Sequence, residues 1–568
     1  MSVLEIKNLY VHYQQENTID AVHNVSFSVE KGESIGIIGE SGSGKSTLAL
    51  SIMGLLNNNV EIKGSIHYKG QDILKLTEKE LQSIRWRKIA IVFQNSLDVL
   101  NPVITVGYQL VEAIIRHTTL NKKYATVKAK TLLSMVGLED SWFDAFAHQL
   151  SGGMRQRVLI AMALSCDPEI LIADEPTMAL DSVTKEEIVE LIKNLQKEKQ
   201  FSLIVISHEL PVIASLADRA MVMYLGNVME TGKTKEILTN PMHPYTRGLI
   251  YSSPVLNPIR DMWGISGEVY IEKENQCPFY SRCNQRIDDC LKNNPQLQNV
   301  SQSRKVSCIR GGIVTILKAD KINKRYSIKN CEINACSHCD VHIRSGEVVA
   351  LIGETGSGKT SLAQILGGII TADEGQVMFE GRKVDGNSET KKKNGIQIVF
   401  QDPLSATNEH FTIGKIVQEP LDIIKSGTKE ERVEEVKSAL SKVQLPYDDN
   451  FLNRKGHTLS GGQRQRVAIA RALVMNPKLM IADEISSMLD PSNAANMLRL
   501  LKGLQNTQGF SMLYITHDIA IAEKISDKVY VMKNGRIIEK GIASEVFSNP
   551  KESYTKMLLK GMKGIVFK

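Results

Sequence analysis

The sequence predicts an α/β fold that contains two tandem copies of one phosphate-loop domain. The main observation is an internal repeat, since an eight-residue glycine-rich segment at 39–46 returns at 353–360. A Leu-Ser-Gly-Gly segment at 150–153 returns at 459–462, and an Asp-Glu pair at 174–175 returns at 483–484. A repeat of this length indicates two copies of one domain, which decides the architecture before any local pattern does.

The bulk composition is that of an ordinary globular protein. The 568 residues predict roughly two to four domains. Hydrophobic residues make up 42% of the chain and charged residues 23%, which are common values. The net charge of +6 is small for this length, and no clustered basic stripe accompanies it. We therefore expect no nucleic-acid partner.

The chain contains no apolar run near the roughly 20 residues that span a bilayer. Its first residues also lack the basic and then apolar order of a secretory signal. We therefore expect a cytoplasmic protein, and any role at a membrane would be exercised through partner proteins.

Each glycine-rich segment lies between a predicted buried strand and a predicted helix, which is the context of a phosphate loop. Glycines let backbone N–H groups turn inward around a phosphate, and the helix dipole favours the negative charge. Lys45 is expected to reach the β- and γ-phosphates and Ser46 to ligate Mg²⁺; Lys359 and Thr360 repeat these roles. The candidate nucleotide-binding residues of the loops are Gly39, Glu40, Ser41, Gly42, Ser43, Gly44, Lys45, Ser46 and Thr47, and Gly353, Glu354, Thr355, Gly356, Ser357, Gly358, Lys359, Thr360 and Ser361.

The two Asp-Glu pairs each end a continuous apolar run, which is typical of a parallel strand buried on both faces. The carboxyl ends of such strands are where α/β sheets bind ligands. Asp174 and Asp483 suit Mg²⁺, through water. Glu175 and Glu484 suit the orientation or deprotonation of an attacking water molecule.

The segments at 151–157 and 460–466 resemble the signature motif of ATP-binding-cassette (ABC) ATPases. The resemblance implies that each cassette has a RecA-like core, an antiparallel β subdomain and a helical subdomain. It also implies that the two cassettes of this chain pair head to tail, so that each signature contacts the γ-phosphate of ATP on the opposite cassette. The signature residues are Ser151, Gly152, Gly153, Ser460, Gly461 and Gly462.

The same resemblance assigns the remaining residues of each ATP site. It implies Q-loop glutamines that sense the nucleotide and the membrane partner and contact Mg²⁺, D-loop aspartates, switch histidines at the γ-phosphate and an aromatic residue that stacks on adenine. For the two tyrosines, an ordinary position on a surface strand is the alternative. In chain order these residues are Tyr13, Gln94, Asp181, His208, Tyr326, Gln401, Asp490 and His517.

The segment His243–Leu249 resembles the His-Pro-Tyr-Thr-Arg segment of the oligopeptide, dipeptide and nickel importer group. Residues 151–164 resemble its D-type subunit, residues 460–473 its F-type subunit, and residues 552–556 are a degraded echo of the His-Pro-Tyr-Thr segment. The chain thus resembles a fusion of both ATPase subunits. This implies two integral membrane permease subunits as partners, an indirect link to an extracytoplasmic solute-binding protein, and a place on the cytoplasmic face of the membrane. Peptides, nickel and metal chelates are all open as cargo.

We predict a first cassette at 1–254, a cysteine-containing extension at 255–312 and a second cassette at 313–568. In D-type subunits the cysteine pattern of Cys277, Cys283, Cys290 and Cys308 is associated with a [4Fe–4S] cluster, and this resemblance extends that expectation to the present chain. Four thiolates also suit zinc, and unmetallated thiols or a disulfide are the third alternative.

Three further cysteines, at 331, 336 and 339, precede the second phosphate loop. Alignment of the two copies places Cys336 on Val22 and Cys339 on Val25 of the first. We therefore predict that these cysteines are small buried strand residues rather than a second metal site.

Because both sites retain a carboxylate and a histidine, we predict that both hydrolyse ATP. Two departures from the family pattern are present. Met154 replaces the usual signature glutamine, as in D-type subunits. Residues 485–488 lack the Pro-Thr and Ala of the first copy, so the two sites need not hydrolyse ATP at equal rates. The alternative function is that of soluble tandem ABC proteins that act on ribosomes or nucleic acid. Their charged helical linker or internal zinc insertions are not found in this sequence.

Overall fold

The structure is a computed structural model that describes residues 2–14, 19–57, 59–93, 99–256, 264–269, 275–328, 331–385, 393–402, 408, 410–487 and 489–566. The chain forms two compact units. The first comprises Met1–Pro258, Val269–Cys283 and Ile287–Gly312, and the second comprises Ile259–Glu268, Asn284–Arg286 and Ile313–Lys568. Most of the segment between the predicted cassettes therefore belongs to the first unit.

The core of the first unit is a twisted sheet whose central strands are parallel. Every residue of strands Ser34–Ile38, Ile170–Asp174 and Ser202–Ile206 is buried, which explains why they are continuous apolar runs in the sequence. In spatial order the strands are Gln298–Ser301, Arg304–Val306, Asn227–Lys233, Arg219–Tyr224, Ser34–Ile38, Ser202–Ile206, Ile170–Asp174 and Ile89–Val92.

A second, antiparallel sheet covers the other part of the same hydrophobic core. Its strands in spatial order are Ile19–Glu30, Ser2–Tyr13, Val60–Tyr68 and Gln71–Asp72. The alternation of buried and exposed side chains along Ser2–Tyr13 is that of a sheet with one solvated face. Val22 and Val25 on the neighbouring strand are completely buried in this core.

Helices connect the strands and form a separate helical region after Ile89–Val92. The helix Val106–His117 is strongly amphipathic and buries Leu110, Val111 and Ile114. It contacts the following helix Lys122–Met135, and both pack on the signature helix Gly152–Ala163. The helices of the first unit are Lys45–Met53, Glu78–Ile84, Val106–His117, Lys122–Met135, Gly152–Ala163, Ser182–Lys199, Leu210–Leu216, Thr234–Thr239, Pro244–Tyr251 and Asp288–Lys292.

The second unit repeats this plan. Its core sheet has the order Ile396–Val399, Leu479–Asp483, Ser511–Thr516, Val348–Ile352, Lys528–Lys533 and Arg536–Ile542, and its antiparallel sheet has the order Cys331–Arg344, Thr315–Ile328, Glu374–Phe379 and Arg382–Lys383. The helices are Lys359–Leu366, Ile413–Ile423, Lys429–Lys442, Asp449–Leu452, Gly461–Leu473, Pro491–Gln508, Ile519–Ile525, Ala543–Ser548 and Ser553–Val566. The predicted fold class, with a core, an antiparallel β subdomain and a helical subdomain in each copy, is confirmed.

Two of the three cysteines that precede the second phosphate loop are core residues, as predicted. Cys336 and Cys339 lie on the strand Cys331–Arg344 with exposed fractions of 1% and 0%, and they belong to the hydrophobic core of the second unit. The side chain of Cys331 lies outside the described residues. No helix among the described residues combines the length and apolar character needed to cross a bilayer.

The extension adds a two-stranded hairpin to the core sheet of the first unit. Strand Arg304–Val306 pairs antiparallel with Asn227–Lys233, so that Thr231 lies opposite Lys305. Arg304 and Glu230 are both buried, and Glu230 is fully inaccessible to solvent. The Nε of Arg304 donates a hydrogen bond of 2.9 Å to Glu230 Oε1. A buried ion pair thus attaches the extension to the sheet.

Replacement of Arg304 by leucine should destabilise the first unit by about 3 kcal/mol, because it leaves the buried Glu230 carboxylate without its cation. Hydrogen exchange of the amides in Asn227–Lys233 under increasing urea measures this local free energy. Lys305→Leu, an exposed change on the same strand, is the matched control and should change it by less than about 0.5 kcal/mol. Equal effects of the two variants would contradict the assignment.

Candidate functional site

The first glycine-rich segment forms a loop between strand Ser34–Ile38 and helix Lys45–Met53. Gly44 occupies the N-cap position of this helix with φ of 94°, in the left-handed region that favours glycine. A Cβ atom on Gly44 would lie 2.0 Å from the carbonyl oxygen of Ala21, on the antiparallel sheet. The loop therefore packs directly against the backbone of the second sheet, and only glycine fits there.

Lys45 folds back over this loop and is almost completely buried. Its Nζ donates hydrogen bonds to the carbonyl oxygens of Gly39 at 2.9 Å and Glu40 at 2.8 Å, and to Ser43 Oγ at 3.2 Å. Burial lowers the pKa of Lys45, while the carboxylates of Glu175, Asp174 and Glu40 act in the opposite direction. The ammonium group is thus held at the mouth of a loop lined by backbone N–H groups, where an anion would bind.

The second loop has the same construction. Gly358 caps helix Lys359–Leu366 with φ of 101°, and a Cβ there would lie 2.0 Å from the carbonyl oxygen of Ala335. Lys359 Nζ donates to the carbonyl oxygens of Gly353 at 2.9 Å and Glu354 at 2.8 Å. Since Ala335 takes the place of Ala21, Cys336 occupies the position of Val22, as the alignment of the two copies predicted.

The aspartates at the ends of the central strands carry an unpaired buried oxygen. Oδ1 of Asp174 and Oδ1 of Asp483 are each inaccessible to solvent and make no hydrogen bond. Burial raises the pKa of both carboxyl groups, and the nearby Ser46 and Thr360 hydroxyls partly counteract it. A carboxylate oxygen with a free lone pair beside a hydroxyl group is a donor set that Mg²⁺ prefers, so the residues fit this ion.

The glutamate after each aspartate has left-handed backbone geometry, with φ of 50° at Glu175 and 46° at Glu484. Such geometry is uncommon for a residue with a side chain and is held by the surrounding structure. Glu175 Oε1 lies 2.8 Å from His208 Nδ1 and accepts a hydrogen bond of 3.1 Å from the His208 amide. Ser207 Oγ donates to Glu175 Oε2 at 3.3 Å. The structure therefore brings the predicted carboxylate and histidine of the first site together.

The second pair is more loosely arranged. His517 Nδ1 lies 3.3 Å from Glu484 Oε2, and Lys359 Nζ lies 3.8 Å from Glu484 Oε1. Gln401 Nε2 donates to Ser487 Oγ at 3.3 Å, which connects the predicted Q-loop glutamine to the segment after Glu484. Its counterpart Gln94 lies outside the described residues.

The signature serines are N-caps of their helices. Ser151 Oγ accepts from the Met154 amide at 3.3 Å, and Ser460 Oγ accepts from the Gln463 amide at 3.4 Å. Only the second helix has a capping box, because Gln463 Oε1 accepts from the Ser460 amide at 3.1 Å and Met154 has no such acceptor. Their helix N-termini present the N–H groups of Gly152, Gly153, Gly461 and Gly462.

The D-loop aspartates are also N-caps. Asp181 accepts from the amides of Val183 and Thr184 at 3.1 Å, and Asp490 accepts from Ser492 at 3.1 Å and Asn493 at 3.0 Å. The pKa of Asp181 is lowered first by the Thr184 hydroxyl and then by the Thr184 amide, and the pKa of Asp490 is lowered first by the Asn493 amide and then by the Asn493 side chain. Both side chains are thus engaged with their own helices.

The two predicted adenine-stacking tyrosines differ in their surroundings. Tyr13 Oη lies 3.5 Å from Thr47 Oγ1 on the helix of the first phosphate loop. Tyr326 is partly exposed, with Lys324 Nζ 5.7 Å from the centre of its ring. Tyr13 therefore lies next to the first phosphate loop, whereas the described contact of Tyr326 is with Lys324 on its own strand.

Sequence reasoning missed a pair of tyrosines that support the phosphate loops. Tyr245 Oη accepts a hydrogen bond of 2.9 Å from the Glu40 amide, and Tyr554 Oη accepts one of 3.3 Å from the Glu354 amide. Tyr245 belongs to the His-Pro-Tyr-Thr segment and Tyr554 to its echo, so that the motif marked the residue without revealing its contact. Arg282, which pairs with Glu40, carried no signal except its position before Cys283.

The carboxylates of Glu230 and Glu539 hold the segments that precede the helices of these tyrosines. Glu230 accepts hydrogen bonds from the amides of Met242 and His243, and Glu539 accepts from Lys551 at 2.8 Å and Glu552 at 3.2 Å. These four amides precede the helices that carry Tyr245 and Tyr554. The same anchor therefore sets both helices against the phosphate loops.

None of the four cysteines of the extension forms a disulfide, and Cys277, Cys290 and Cys308 are buried. Burial raises the pKa of Cys277 to about 12, and a hydrogen bond with the Phe279 backbone acts in the opposite direction. The Cys277 amide donates to the Cys290 carbonyl at 2.8 Å. Among the described residues, no group of three or more His, Cys, Asp or Glu side chains converges as metal ligands. In this arrangement the thiols do not form a ready cluster site.

Comparisons with known proteins give matches to two family models and to glutathione import proteins. The ABC transporter family model matches residues 22–178 and 336–487, and the model of the oligopeptide/dipeptide transporter C-terminal region matches residues 229–290. The glutathione import ATP-binding protein GsiA of Escherichia coli O157:H7 is 37% identical over 574 residues, which cover 98% of this chain and 89% of that protein. GsiA of Shigella flexneri has the same identity and coverage.

Among solved structures, the dimeric ATP-binding cassette MJ0796 with bound ADP and Pi is 33% identical. It covers 41% of this chain and 98% of its own, with a TM-score of 0.38.

Proposed function

The chain belongs to the ABC transporter family and is an ATPase subunit of an oligopeptide-type importer, and we propose that its cargo is a small peptide. The observation that carries this proposal is the 37% identity to glutathione import proteins across 98% of the chain. Glutathione, itself a tripeptide, is therefore the first cargo to test. Nickel and metal chelates, the other cargoes of the importer group, are the alternatives.

The proposed chemistry uses the same residue types at both sites. Lys45 and Lys359 bind the β- and γ-phosphates of ATP within the loop N–H groups. Ser46 with Asp174, and Thr360 with Asp483, would hold Mg²⁺. When bound, this ion supplies positive charge to the phosphate oxygens.

Hydrolysis requires a group that orients water and takes its proton. We assign this role to a carboxylate oxygen of Glu175 and of Glu484, each at the end of a buried strand. His208 and His517, whose Nδ1 atoms lie beside these carboxylates, would hold them in place and reach the γ-phosphate. Gln401 and Gln94 are proposed to sense the nucleotide and the membrane partner.

The partners proposed for the chain follow from the importer group. Two integral membrane permease subunits would bind the helical regions, and a solute-binding protein outside the membrane would deliver the peptide. The chain would act at the cytoplasmic face as a peripheral subunit. We further propose, as the family resemblance implies, that its two cassettes pair through their signature and D-loop segments.

The substitutions Glu175→Gln and Glu484→Gln should each reduce ATP turnover, and the double variant should lower it by about a hundredfold or more, because both proton acceptors are lost. Steady-state release of phosphate measures turnover, and binding of ATP should persist. Glu186→Gln, an exposed carboxylate on helix Ser182–Lys199, is the matched control. Undiminished turnover in the double variant would refute the assigned role.

Affinity purification of the tagged chain from detergent-solubilised native membranes should recover two polytopic membrane proteins and a solute-binding protein. The recovered complex, reconstituted in liposomes with ATP, should then accumulate radiolabelled glutathione, whereas the double Glu→Gln complex should not. Accumulation of nickel instead would show that nickel, and not glutathione, is the cargo. Recovery of ribosomal or DNA-repair proteins without a permease would contradict the importer.

We propose that the four cysteines of the extension bind a [4Fe–4S] cluster once their side chains converge. The support is their number, the burial of Cys277, Cys290 and Cys308, the hydrogen bond between the Cys277 amide and the Cys290 carbonyl, and the resemblance to D-type subunits. The role would be structural, since it would cross-link an extension with little regular secondary structure.

Anaerobically purified chain should contain iron and acid-labile sulfide in equal amounts, with a broad absorption band near about 400 nm. Cys283→Ser should lose both, whereas Cys166→Ser, which lies outside the extension, should keep them. Zinc without sulfide would favour the zinc alternative, and chain with neither metal would leave unmetallated thiols.

A further inference from the structure

The segment between Cys277 and Cys283 contacts the first phosphate loop. Arg282 forms a two-point ion pair with Glu40, since Nη1 lies 2.9 Å from Oε2 and Nη2 lies 3.2 Å from Oε1. The Arg282 side chain is only 7% exposed, and its Nη1 also lies 3.3 Å from Tyr224 Oη. Two-point pairing of a buried guanidinium fixes both distance and orientation.

Aromatic packing holds this segment in place. The Phe279 ring packs against Tyr224, Tyr245 and His243, with ring centres 5.5 to 5.6 Å apart. Burial lowers the pKa of His243 to about 3, and Nδ1 of the neutral ring accepts the Tyr245 amide at 3.1 Å. Arg282 is therefore attached to a rigid support rather than to a loose loop.

Glu40 is consequently held at two points. Its amide donates to Tyr245 Oη, and its carboxylate pairs with Arg282. The Glu40 carboxylate also acts on Lys45, where burial lowers the pKa and Glu175, Asp174 and, to the smallest extent, Glu40 oppose that lowering. If Arg282 were absent, this carboxylate would compete with phosphate for the Lys45 ammonium group and would repel the nucleotide.

The second loop lacks this arrangement. Glu354 keeps the amide contact with Tyr554, but no ion pair involves Glu354 among the residues that the structure describes. The Nζ of Lys533 lies over the Tyr554 ring, 4.5 Å from its centre. Lys533 occupies the position in the second unit that Tyr224 occupies in the first. An ammonium group therefore stands next to the second loop where the first loop has a phenol group.

From these contacts we propose that Arg282 is a positioning residue for the first ATP site, where it neutralises Glu40 and fixes the phosphate loop. The inference rests on the proposed binding of ATP by this loop. It makes the cysteine-containing extension a determinant of ATP affinity at one site and not at the other.

The test measures the two sites separately in the full-length chain. Photolabelling with 8-azido-ATP and Mg²⁺, followed by digestion and mass spectrometry, gives half-saturation for the labelled peptides of each cassette. Arg282→Gln should weaken labelling of the first cassette about three- to tenfold and leave the second unchanged, as expected for loss of a charged pair. Arg282→Lys should lie between, since an ammonium group cannot pair at two points.

A second substitution separates repulsion from mere loss of structure. Glu40→Gln in the Arg282→Gln chain should restore part of the affinity, because it removes the uncompensated carboxylate. Lys292→Gln removes one exposed charge from the same extension and should have no effect. Equal weakening at both sites, or failure of Glu40→Gln to restore affinity, would overturn the inference. Absence of labelling in both cassettes of the unmodified chain would refute the proposed function instead.

Discussion

The close approach of each phosphate loop to the second sheet is the constraint on which the rest of each unit depends. Gly44 and Gly358 meet the carbonyl oxygens of Ala21 and Ala335 at distances that no side chain allows. This contact joins the core sheet, the antiparallel sheet and the helix after the loop at one point. The positions of the lysine, the acidic pair and the histidine around the loop depend on that junction.

Around this junction the two copies share anchors that are far apart in sequence. Glu230 and Glu539 bind the amides before the last helix of each unit, and that helix carries Tyr245 or Tyr554 to the loop. In the first unit Arg304 of the extension completes the anchor, so that the extension belongs to the sheet and not only to the linker. The extension therefore contacts the Glu230 anchor through Arg304 and the first phosphate loop through Arg282.

Local motifs explain what the sequence could predict. The loops, the apolar strands and the N-cap serines are determined by neighbouring residues, and both copies folded as expected. Contacts across 205 and 242 positions, such as Tyr245 and Arg282 with Glu40, depend on tertiary packing and leave no periodic trace. The convergence of four thiols likewise requires distances that spacing does not give, and in this structure the expected metal geometry is absent among the described cysteines.

The two sites thus combine the same reactive groups with different electrostatic surroundings. In the first, Glu175 is held by a serine hydroxyl and a histidine, while an arginine from the extension neutralises the loop glutamate. In the second, Glu484 Oε1 lies 3.8 Å from the Nζ of the loop lysine Lys359, and Glu354 forms no ion pair among the residues that the structure describes. The proposed difference in nucleotide affinity between the two sites would thus arise from the surroundings of the loops and not from the reactive groups themselves.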